Sequence, residues 1–359
     1  MTRAILTMLA TVLLATPAAA QTIDELFDPT VVHDLRLWVH SRDLQQLRET
    51  YTENTYYQAD LEWRGMRVRS AGVRSRGNVS RNPDKPGLRV DFNRYVKGQR
   101  FLGLSSLVLD NLVQDPGFVR ESVVMALFTR MGIAAPRETF ARLYINGEYQ
   151  GLYAVVEPVD DRFLARTTGD GAGYVFDYEW LHPFQGEYLG SSLEPYKARF
   201  KPETNRTAGD VALYAPIHDL FAAINREDDT LWRETVERYL DVPQFLTHVA
   251  IEQFLSETDG LTGHWAMHNF YLYRPSDSVR HQLFPWDRDT SFFDIESSIQ
   301  TRTSDNLLFT RLIAHPDLRE FYLQAVAACA HAAAADGWLE GELTRRAALF
   351  RDAVIEDVR

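Results

Sequence analysis

The chain has 359 residues, a formal net charge of −12 at pH 7 and a single cysteine. A protein this acidic does not bind nucleic acid or anionic lipid through its overall electrostatic field, which excludes those two classes of partner. One thiol cannot form an intrachain disulfide, so the fold must depend on its hydrophobic core, for which a 45% apolar composition is sufficient.

The first twenty residues have the pattern of a secretory signal peptide. Met1-Thr2-Arg3 precedes an apolar run from Ala4 to Thr16, and Pro17-Ala18-Ala19-Ala20 supplies a small-residue cleavage site. The apolar run is shorter than the roughly 20 residues that a membrane span needs. We predict cleavage after Ala20, with an uncleaved anchor as the alternative. The mature chain is then expected to lack a transmembrane span and to be secreted, periplasmic or in the cell envelope.

Residues 21–157 are predicted to form a β-rich region that contains one helix. Polar and apolar residues alternate over 34–40, 59–63 and 66–69, as in half-buried strands, and Arg64-Gly65 has the composition of a hairpin turn. Residues 88–92 read as a further strand. Residues 116–131 have a helical pattern, with Pro116 near the start and Gly132 just past the end.

Residues 158–359 are predicted to be mainly helical. Residues 158–210 are rich in Gly, Pro and Tyr and indicate loops, whereas helices are expected at 213–226, at 229–240, and at 242–257 after an Asp241 cap. A β-hairpin at 268–284 interrupts them, with its turn at 275–278, and further helices follow from about residue 305. A β-rich half followed by a helical half predicts an α+β fold.

Acidic and amide side chains cluster around this hairpin. Asp259 precedes it, Asn269 lies at its beginning, and Asp287 and Asp289 follow its second strand. Protein kinases have the same chain order, with an Asp that orients the attacking hydroxyl, then a metal-binding Asn, then a metal-binding Asp after a hairpin. Mg²⁺ binds one or two carboxylates together with phosphate oxygens, and such a cluster could provide them.

Basic residues are concentrated between positions 64 and 89. Arg76-Gly77-Asn78 is followed by Ser80, and this small-residue turn could bring backbone N–H groups close to phosphate oxygens. The alternative is a solvated face of a strand. Neither a Gly-x-Gly-x-x-Gly loop nor a Walker motif occurs in the chain.

These motifs together resemble the CotH kinase family of secreted or surface proteins. The resemblance rests on 257–260 (ETDG), 269–274 (NFYLYR), 285–292 (PWDRDTSF) and the Arg76-Gly77-Asn78 turn with its following strand. It implies an atypical, two-lobed kinase-like fold with a β-rich N-terminal lobe. It further implies phosphate transfer from ATP to Ser or Thr of a partner protein, dependent on Mg²⁺ or Mn²⁺.

The resemblance also implies roles for individual residues. Asp259 would be catalytic, Asn269 and Asp287 would bind metal, and Asp289 would be a second ligand or a supporting residue. Lys85 paired with Glu121 would hold the nucleotide phosphates, with Arg89 as the competitor for Lys85 and Arg76 as a further contact.

Two features of the sequence depart from ordinary kinases. Asp259 and Asn269 are ten residues apart rather than five, so His268 or a loop group is the alternative to Asn269. ATP is also scarce outside the cytoplasm. The alternative function is therefore a non-catalytic surface or envelope protein that uses the same scaffold to bind a partner or a glycan.

Overall fold

The first half of the molecule is a closed barrel of seven strands. The computed structural model describes residues 21–357, and the predicted signal peptide lies outside this range. The order around the barrel is β1-β2-β3-β4-β5-β7-β6. The strands are β1 (Val32–Val39), β2 (Tyr57–Trp63), β3 (Met66–Ser75), β4 (Leu88–Asp91), β5 (Ser106–Asp110), β6 (Glu138–Ile145) and β7 (Glu148–Val156). Only the β1–β6 contact among these strand pairs is parallel.

Local sequence explains how the barrel strands form. In β1, Leu35, Leu37 and Val39 are buried while the residues between them are more exposed, which is the alternation expected of a strand with one buried face. Arg64 and Gly65 both have positive φ, at 48° and 79°, as a two-residue hairpin turn requires. The predicted β2–β3 hairpin is thus confirmed.

A helix between β5 and β6 joins the barrel to the second half. This helix, α3 (Arg120–Arg130), begins four residues later than the sequence pattern predicted, and Val119 precedes it without a side-chain cap. Its apolar side chains, including Val124 and Phe128, pack against residues of the later helices such as Ile251. Two short helices, α1 (Ile23–Leu26) and α2 (Ser41–Glu49), flank β1.

The second half consists of helices around a small four-stranded sheet. The sheet order is β11-β10-β8-β9. Its strands are β8 (Tyr174–Tyr178), β9 (Phe200–Pro202), β10 (Phe270–Arg274) and β11 (Gln282–Pro285). The helices are α4 (Asp161–Thr167), α5 (Glu194–Arg199), α6 (Asp210–Ile224), α7 (Asp229–Tyr239), α8 (Val242–Phe254), α9 (Leu307–Ile313), α10 (Pro316–Ala334) and α11 (Trp338–Glu356).

The second half confirms most of the expected elements and corrects one. The predicted hairpin is β10–β11, and Asp241 caps α8 by accepting a hydrogen bond from the Gln244 N–H at 3.3 Å. The prediction of loops over 158–210 was wrong, because β8 and β9 lie there and β8 pairs directly with β10. These strands are short and their partners are distant in sequence, so local periodicity does not reveal them.

The chain returns to the barrel at its C-terminal end. Phe350 and Ala353 of α11 pack against Phe140 and Leu152 of the barrel. The barrel followed by a mainly helical half confirms the predicted α+β class. Every helix within residues 21–357 is too short or too polar to span a lipid bilayer.

Candidate active site

Three of the predicted site residues converge at the open end of the β10–β11 hairpin. One carboxylate oxygen of Asp259 lies 2.7 Å from His268 Nδ1, and the other accepts a hydrogen bond from Asn269 Nδ2 at 2.9 Å. The Asn269 amide also donates to the Asp259 backbone oxygen at 3.1 Å. The ten-residue separation is therefore closed by the loop between α8 and β10, and His268 and Asn269 both contact Asp259.

Asn269 and Asp287 both lie at the open end of the hairpin, where Asn269 is opposite Trp286 and Asp287 is the next residue. The Trp286 N–H donates to the Asn269 backbone oxygen at 3.1 Å, so the pairing continues one step beyond β11. Asn269 and Asp287 have φ values of 52° and 53°. Left-handed backbone is costly for most residues, and Asn and Asp tolerate it best. This conformation redirects both side chains where the strands end.

A buried ionic network supports the loop that carries Asp259. Glu252 of α8 lies 2.7 Å from Arg288 Nη2, and both side chains are almost fully buried. Glu252 also accepts a hydrogen bond from the Leu261 N–H at 2.8 Å. Burial would raise the pKa of Glu252, but Arg288 and His248 outweigh burial and keep that pKa below its ordinary value. The ion pair thus connects α8, the Asp259 loop and the segment that carries Asp287.

Glu257 provides a second connection between the same segments. Its carboxylate accepts hydrogen bonds from the hydroxyls of Thr290 and Ser291 and from the Asp259 N–H, the last at 2.8 Å. Gly260 is required in this loop because a Cβ there would lie 2.4 Å from Glu252 Oε1. The position of Asp259 relative to Asp287 is thus fixed by buried groups on both sides.

The two acids after the hairpin have raised pKa values. Burial raises the pKa of Asp287 to about 6, and Arg76 opposes that shift. Burial and the neighbouring charge of Asp287 raise the pKa of Asp289 to about 9. The structure gives neither carboxylate a hydrogen bond or ion pair within residues 21–357. Both groups would therefore gain from a nearby cation.

The barrel contributes Arg76 to this site. Its guanidinium Nη1 lies 2.9 Å from Asp110 Oδ2, and its Cζ lies 5.9 Å from the centre of the Trp286 ring. Asp110 and Asp287 both help to raise the pKa of Arg76 above its ordinary value, against the effect of burial. Arg76 is thus the barrel cation that faces the acidic end of the hairpin, which is the end that carries Asp287 and Asp289.

Lys85 does not lie at the acidic end of the hairpin. Its Nζ is 2.6 Å from Asp357 Oδ2, and both side chains are 3% exposed. Among the residues that the structure describes, the predicted ion pair between Lys85 and Glu121 is not formed. Glu121 is buried on α3, where burial and the nearby Glu138 raise its pKa well above the ordinary value. The physical reason is that Asp357 holds the Lys85 ammonium group, and that Lys85 precedes β4, separated from it by Pro86 and Gly87.

A cavity of about 440 Å³ lies between the barrel and the four-stranded sheet. Of the predicted site residues, Arg76, Arg89, Asn269 and Asp287 line it; Asp259 reaches it through its bonds to His268 and Asn269. Asp177 of β8 also lines the cavity. Sequence reasoning missed Asp177, although an acid inside the aromatic run of residues 174–178 is a signal that could have revealed it.

The side chains at the acidic end fit a magnesium or manganese ion that is shared with phosphate. Within residues 21–357, no three His, Cys, Asp or Glu side chains are arranged to hold a metal ion by themselves. Mg²⁺ commonly takes only one or two carboxylates and completes its shell with phosphate oxygens and water. The Asp287 carboxylate and the Asn269 amide oxygen satisfy that smaller requirement.

Two comparisons with known proteins indicate the same family. A family profile described as "CotH kinase protein" matches residues 73–358. The inner spore coat protein H of Bacillus subtilis (strain 168) is 24% identical over 259 residues, which cover 72% of this chain and 68% of that protein.

Two solved structures show weaker similarity. The Helicobacter pylori proinflammatory kinase CtkA has a TM-score of 0.30 and 11% identity, covering 76% of this chain and 94% of that one. Shewanella oneidensis MR-1 HipA, solved with HipB and operator DNA, has a TM-score of 0.24 and 10% identity, covering 71% and 61% of the two chains. TM-scores this low do not define a shared fold.

Proposed function

Because this chain belongs to the CotH kinase protein family, we propose that it is a protein kinase that transfers phosphate from ATP to a Ser or Thr hydroxyl of a partner protein. One observation carries the proposal. A cavity of about 440 Å³ brings Arg76 of the barrel to Asn269 and Asp287 of the hairpin, next to the loop that holds Asp259. Phosphoryl transfer needs such a combination of cation, metal ligands and an acid that orients the acceptor.

The metal ligands would be Asn269 and Asp287, with Asp289 as a second ligand or a supporting residue. The Asn269 amide nitrogen already donates to Asp259, so its carbonyl oxygen is the atom that remains for the metal. A bound Mg²⁺ or Mn²⁺ would neutralise charge on the phosphates of ATP. Asp287 must be ionised to act as a ligand, and Arg76 favours the ionised form.

Asp259 would orient the acceptor hydroxyl and accept its proton. Each oxygen of a carboxylate has two lone pairs, so the bonds to His268 and Asn269 leave acceptor capacity on both oxygens. Those two bonds also fix the plane of the carboxylate. Positioning of this kind accounts for much of the rate acceleration in phosphoryl transfer, because the protein supplies little covalent chemistry.

Arg76 would bind the phosphates, and the segment of residues 76–87 would cover them. Asp110 holds the guanidinium of Arg76 in place, and Gly77 has a φ of 104°, which a side chain would disfavour. Arg81 donates hydrogen bonds to the backbone oxygens of Gly77 and Tyr51 and so secures the loop. Arg89 lines the same cavity, whereas Lys85 is engaged with Asp357 and contributes to folding instead.

The site of action would lie outside the cytoplasm. The Bacillus relative is a spore coat protein, and the first twenty residues have the pattern of a signal peptide. Expression of the full chain in a bacterial host, followed by N-terminal sequencing of the exported product, tests this part of the proposal. A mature protein that begins at Gln21 is expected. A product that retains residues 1–20 would support the uncleaved anchor.

A non-catalytic binding protein remains the second candidate, and exposed apolar residues favour it. Trp265 is 55% exposed in the loop after Asp259, and Phe293 and Ile295 are 68% and 99% exposed in the segment after Asp289. Exposed apolar side chains near a cleft are common at protein-binding surfaces. A kinase also needs a surface for its protein substrate, so nucleotide binding is the property that separates the two functions.

Thermal unfolding with ATP, with and without Mn²⁺, tests the proposal. A ligand at 100 times its dissociation constant stabilises a protein by about 2.7 kcal/mol, and we expect that stabilisation only when both are present. Asp287→Asn should abolish it without altering the unfolding temperature of the ligand-free protein. Asp277→Asn is the matched control, since it makes the same change at the exposed turn of the same hairpin.

The outcomes distinguish the two functions. No stabilisation of the wild-type protein by Mn-ATP would reject the kinase and leave the binding protein. Full stabilisation of the Asp287→Asn variant by Mn-ATP would mean that nucleotide still binds. Asp289 would then replace Asp287 as the proposed metal ligand.

A further inference from the structure

The cavity has a second polar end that the phosphate chemistry does not use. Asp177 of β8, Glu203 after β9 and Arg89 of β4 lie there, away from Asp287. Arg89 Nη2 is 3.9 Å from Glu203 Oε2 and donates to Ser106 Oγ at 3.4 Å. The following inference rests on the proposed function, because it concerns the part of the nucleotide that would occupy this end.

Strand pairing places Asp177 on the cavity face of the small sheet. Asp177 is directly opposite Tyr271 in the antiparallel pair of β8 and β10. Directly opposite residues point to the same face, and Tyr271 lines the cavity. Trp286, just after β11, also lines it, and its ring centre lies 5.3 Å from that of Tyr271. A line of cavity residues therefore runs from Trp286 through Tyr271 to Asp177.

The spacing of this line suits an extended nucleotide. Trp286 is two strands and two residues away from Asp177, and with about 4.8 Å between strands and about 3.4 Å per residue the separation is roughly 12 Å. Phosphates held between Arg76 and Asp287 would direct the other end of the nucleotide toward Asp177. Tyr271 and Trp286 lie between the two polar ends, where a ribose or the edge of a base would pass.

Asp177 has the chemistry to bind a nucleobase. The structure gives its carboxyl no hydrogen-bond donor within residues 21–357. Burial and the neighbouring Glu203 and Glu179 raise its pKa to about 7, while Arg89 opposes them. A carboxyl group in this range can accept a hydrogen bond from an amino group and, when protonated, donate one to a ring nitrogen.

We propose that Asp177 recognises the base of the bound nucleotide by accepting a hydrogen bond from the 6-amino group of adenine and donating one to the adjacent ring nitrogen. Carboxyl groups accept hydrogen bonds from base amino groups in the same way in nucleic-acid recognition, and an amide side chain can pair with adenine through one donor and one acceptor. Purine riboside triphosphate keeps the ring nitrogen but has hydrogen in place of the 6-amino group, so it cannot donate the first of these hydrogen bonds. Asp177 thus sets a preference for ATP over purine riboside triphosphate.

The experiment compares three ligands with four proteins. The ligands are ATP, purine riboside triphosphate and inorganic tripolyphosphate, each with Mn²⁺, and the measurement is the dissociation constant. The proteins are the wild type, Asp177→Ala, Asp177→Asn and the control Glu227→Ala, which removes an exposed acid far along the sequence from the cavity residues. Thermal unfolding without ligand verifies that each variant is folded. Asp177→Ser replaces the alanine variant if that variant does not fold.

Wild-type protein is expected to bind ATP about 3- to 10-fold more tightly than purine riboside triphosphate, since the loss of one hydrogen bond gives discrimination of that size. Asp177→Ala should bring the two affinities together and leave tripolyphosphate binding unchanged. Asp177→Asn should keep most of the preference for ATP, because an amide also offers a donor and an acceptor. The Glu227→Ala variant should match the wild type.

Two results overturn the inference, and they have different meanings. If Asp177→Ala keeps the wild-type ratio of the affinities for ATP and purine riboside triphosphate, Asp177 does not contact the 6-amino group of the base, and the kinase proposal stands. If the wild-type protein binds none of the three ligands, the proposed function fails and this inference fails with it.

Discussion

The ion pair between Lys85 and Asp357 provides the sharpest test of how the structure assigns the basic residues. The two charged groups are 2.6 Å apart, and each side chain is 3% exposed. Lys85→Met keeps most of the side-chain volume but removes the ammonium group from a buried carboxylate. Removal of one partner of a buried pair typically costs about 3–5 kcal/mol of folding free energy. We expect the lower end of that range, because Asp357 keeps its hydrogen bond from the Leu152 N–H.

A double-mutant cycle separates the pair from other effects of the substitution. Asp357→Asn should also destabilise the protein, whereas the combination of Lys85→Met with Asp357→Asn should recover part of the lost free energy, because no charge is then left buried without its counterion. The coupling between two contacting residues is then the difference between the double variant and the sum of the single variants. Urea unfolding followed by tryptophan fluorescence gives the free energies of unfolding of the wild type and of the three variants.

Nucleotide affinity is the second measurement on the same variants. Where enough Lys85→Met protein remains folded, its affinity for Mn-ATP should be close to that of the wild type, because Lys85 does not line the cavity. Arg76→Met is the matched comparison and should bind Mn-ATP much more weakly. The reasoning is refuted if Lys85→Met is as stable as the wild type but no longer binds nucleotide. Lys85 would then be the phosphate ligand that the sequence first indicated.

Three further changes test the site and its support. Asp259→Asn should reduce phosphate transfer by a factor on the order of 10² or more while ATP affinity is unchanged, as expected for a base that acts only in the reaction, and an equal loss of both would place Asp259 among the metal ligands. Gly260→Ala should lower the unfolding free energy by about 1–3 kcal/mol because its Cβ would meet the Glu252 carboxylate, whereas Gly341→Ala, with open space around it, should be neutral or stabilising in urea unfolding. Burial lowers the pKa of His281 to about 4. Below pH 6.5, the unfolded chain therefore binds a proton at this residue that the folded chain does not bind. Stability should therefore fall as the pH decreases from about 6.5 to about 4, and His281→Asn should remove a part of that decrease on the order of 3 kcal/mol, while an unchanged pH profile would contradict the assignment.

The sequence was sufficient to predict that the acidic and amide residues lie close together, because they flank one local element. A two-strand hairpin with a short turn brings its two open ends together, so Asn269 and Asp287 had to be neighbours once the hairpin was recognised. Asp259 was harder to place, since ten residues separate it from Asn269. His268, which the sequence offered as a replacement for Asn269, instead contacts Asp259 together with Asn269.

The positions of the basic residues could not be predicted from the sequence, because a tertiary contact determines where Lys85 lies. Lys85 and Arg89 are four residues apart, and either could be the cation of a strand that faces the cleft. The partner of Lys85 is Asp357, which is 272 residues away, and α11 brings it to the barrel only in the folded protein. Asp177 was missed for a similar reason, since β8 is defined by its pairing with β10 rather than by a pattern of polar and apolar residues in its own sequence.

The charges at the acidic end support the proposal that nucleotide binding requires a divalent metal. Asp110 and Asp287 lie near a single guanidinium, that of Arg76, which is already bonded to Asp110 at 2.9 Å. With Asp287 ionised near neutral pH, this set carries one net negative charge, and the chain as a whole has a formal charge of −12. A free triphosphate would be repelled by such a field, because like charges in a partly buried site are weakly screened. A divalent ion between Asp287 and the phosphates would reverse the sign of that interaction, which leaves Arg76 to orient the phosphates rather than to attract them alone.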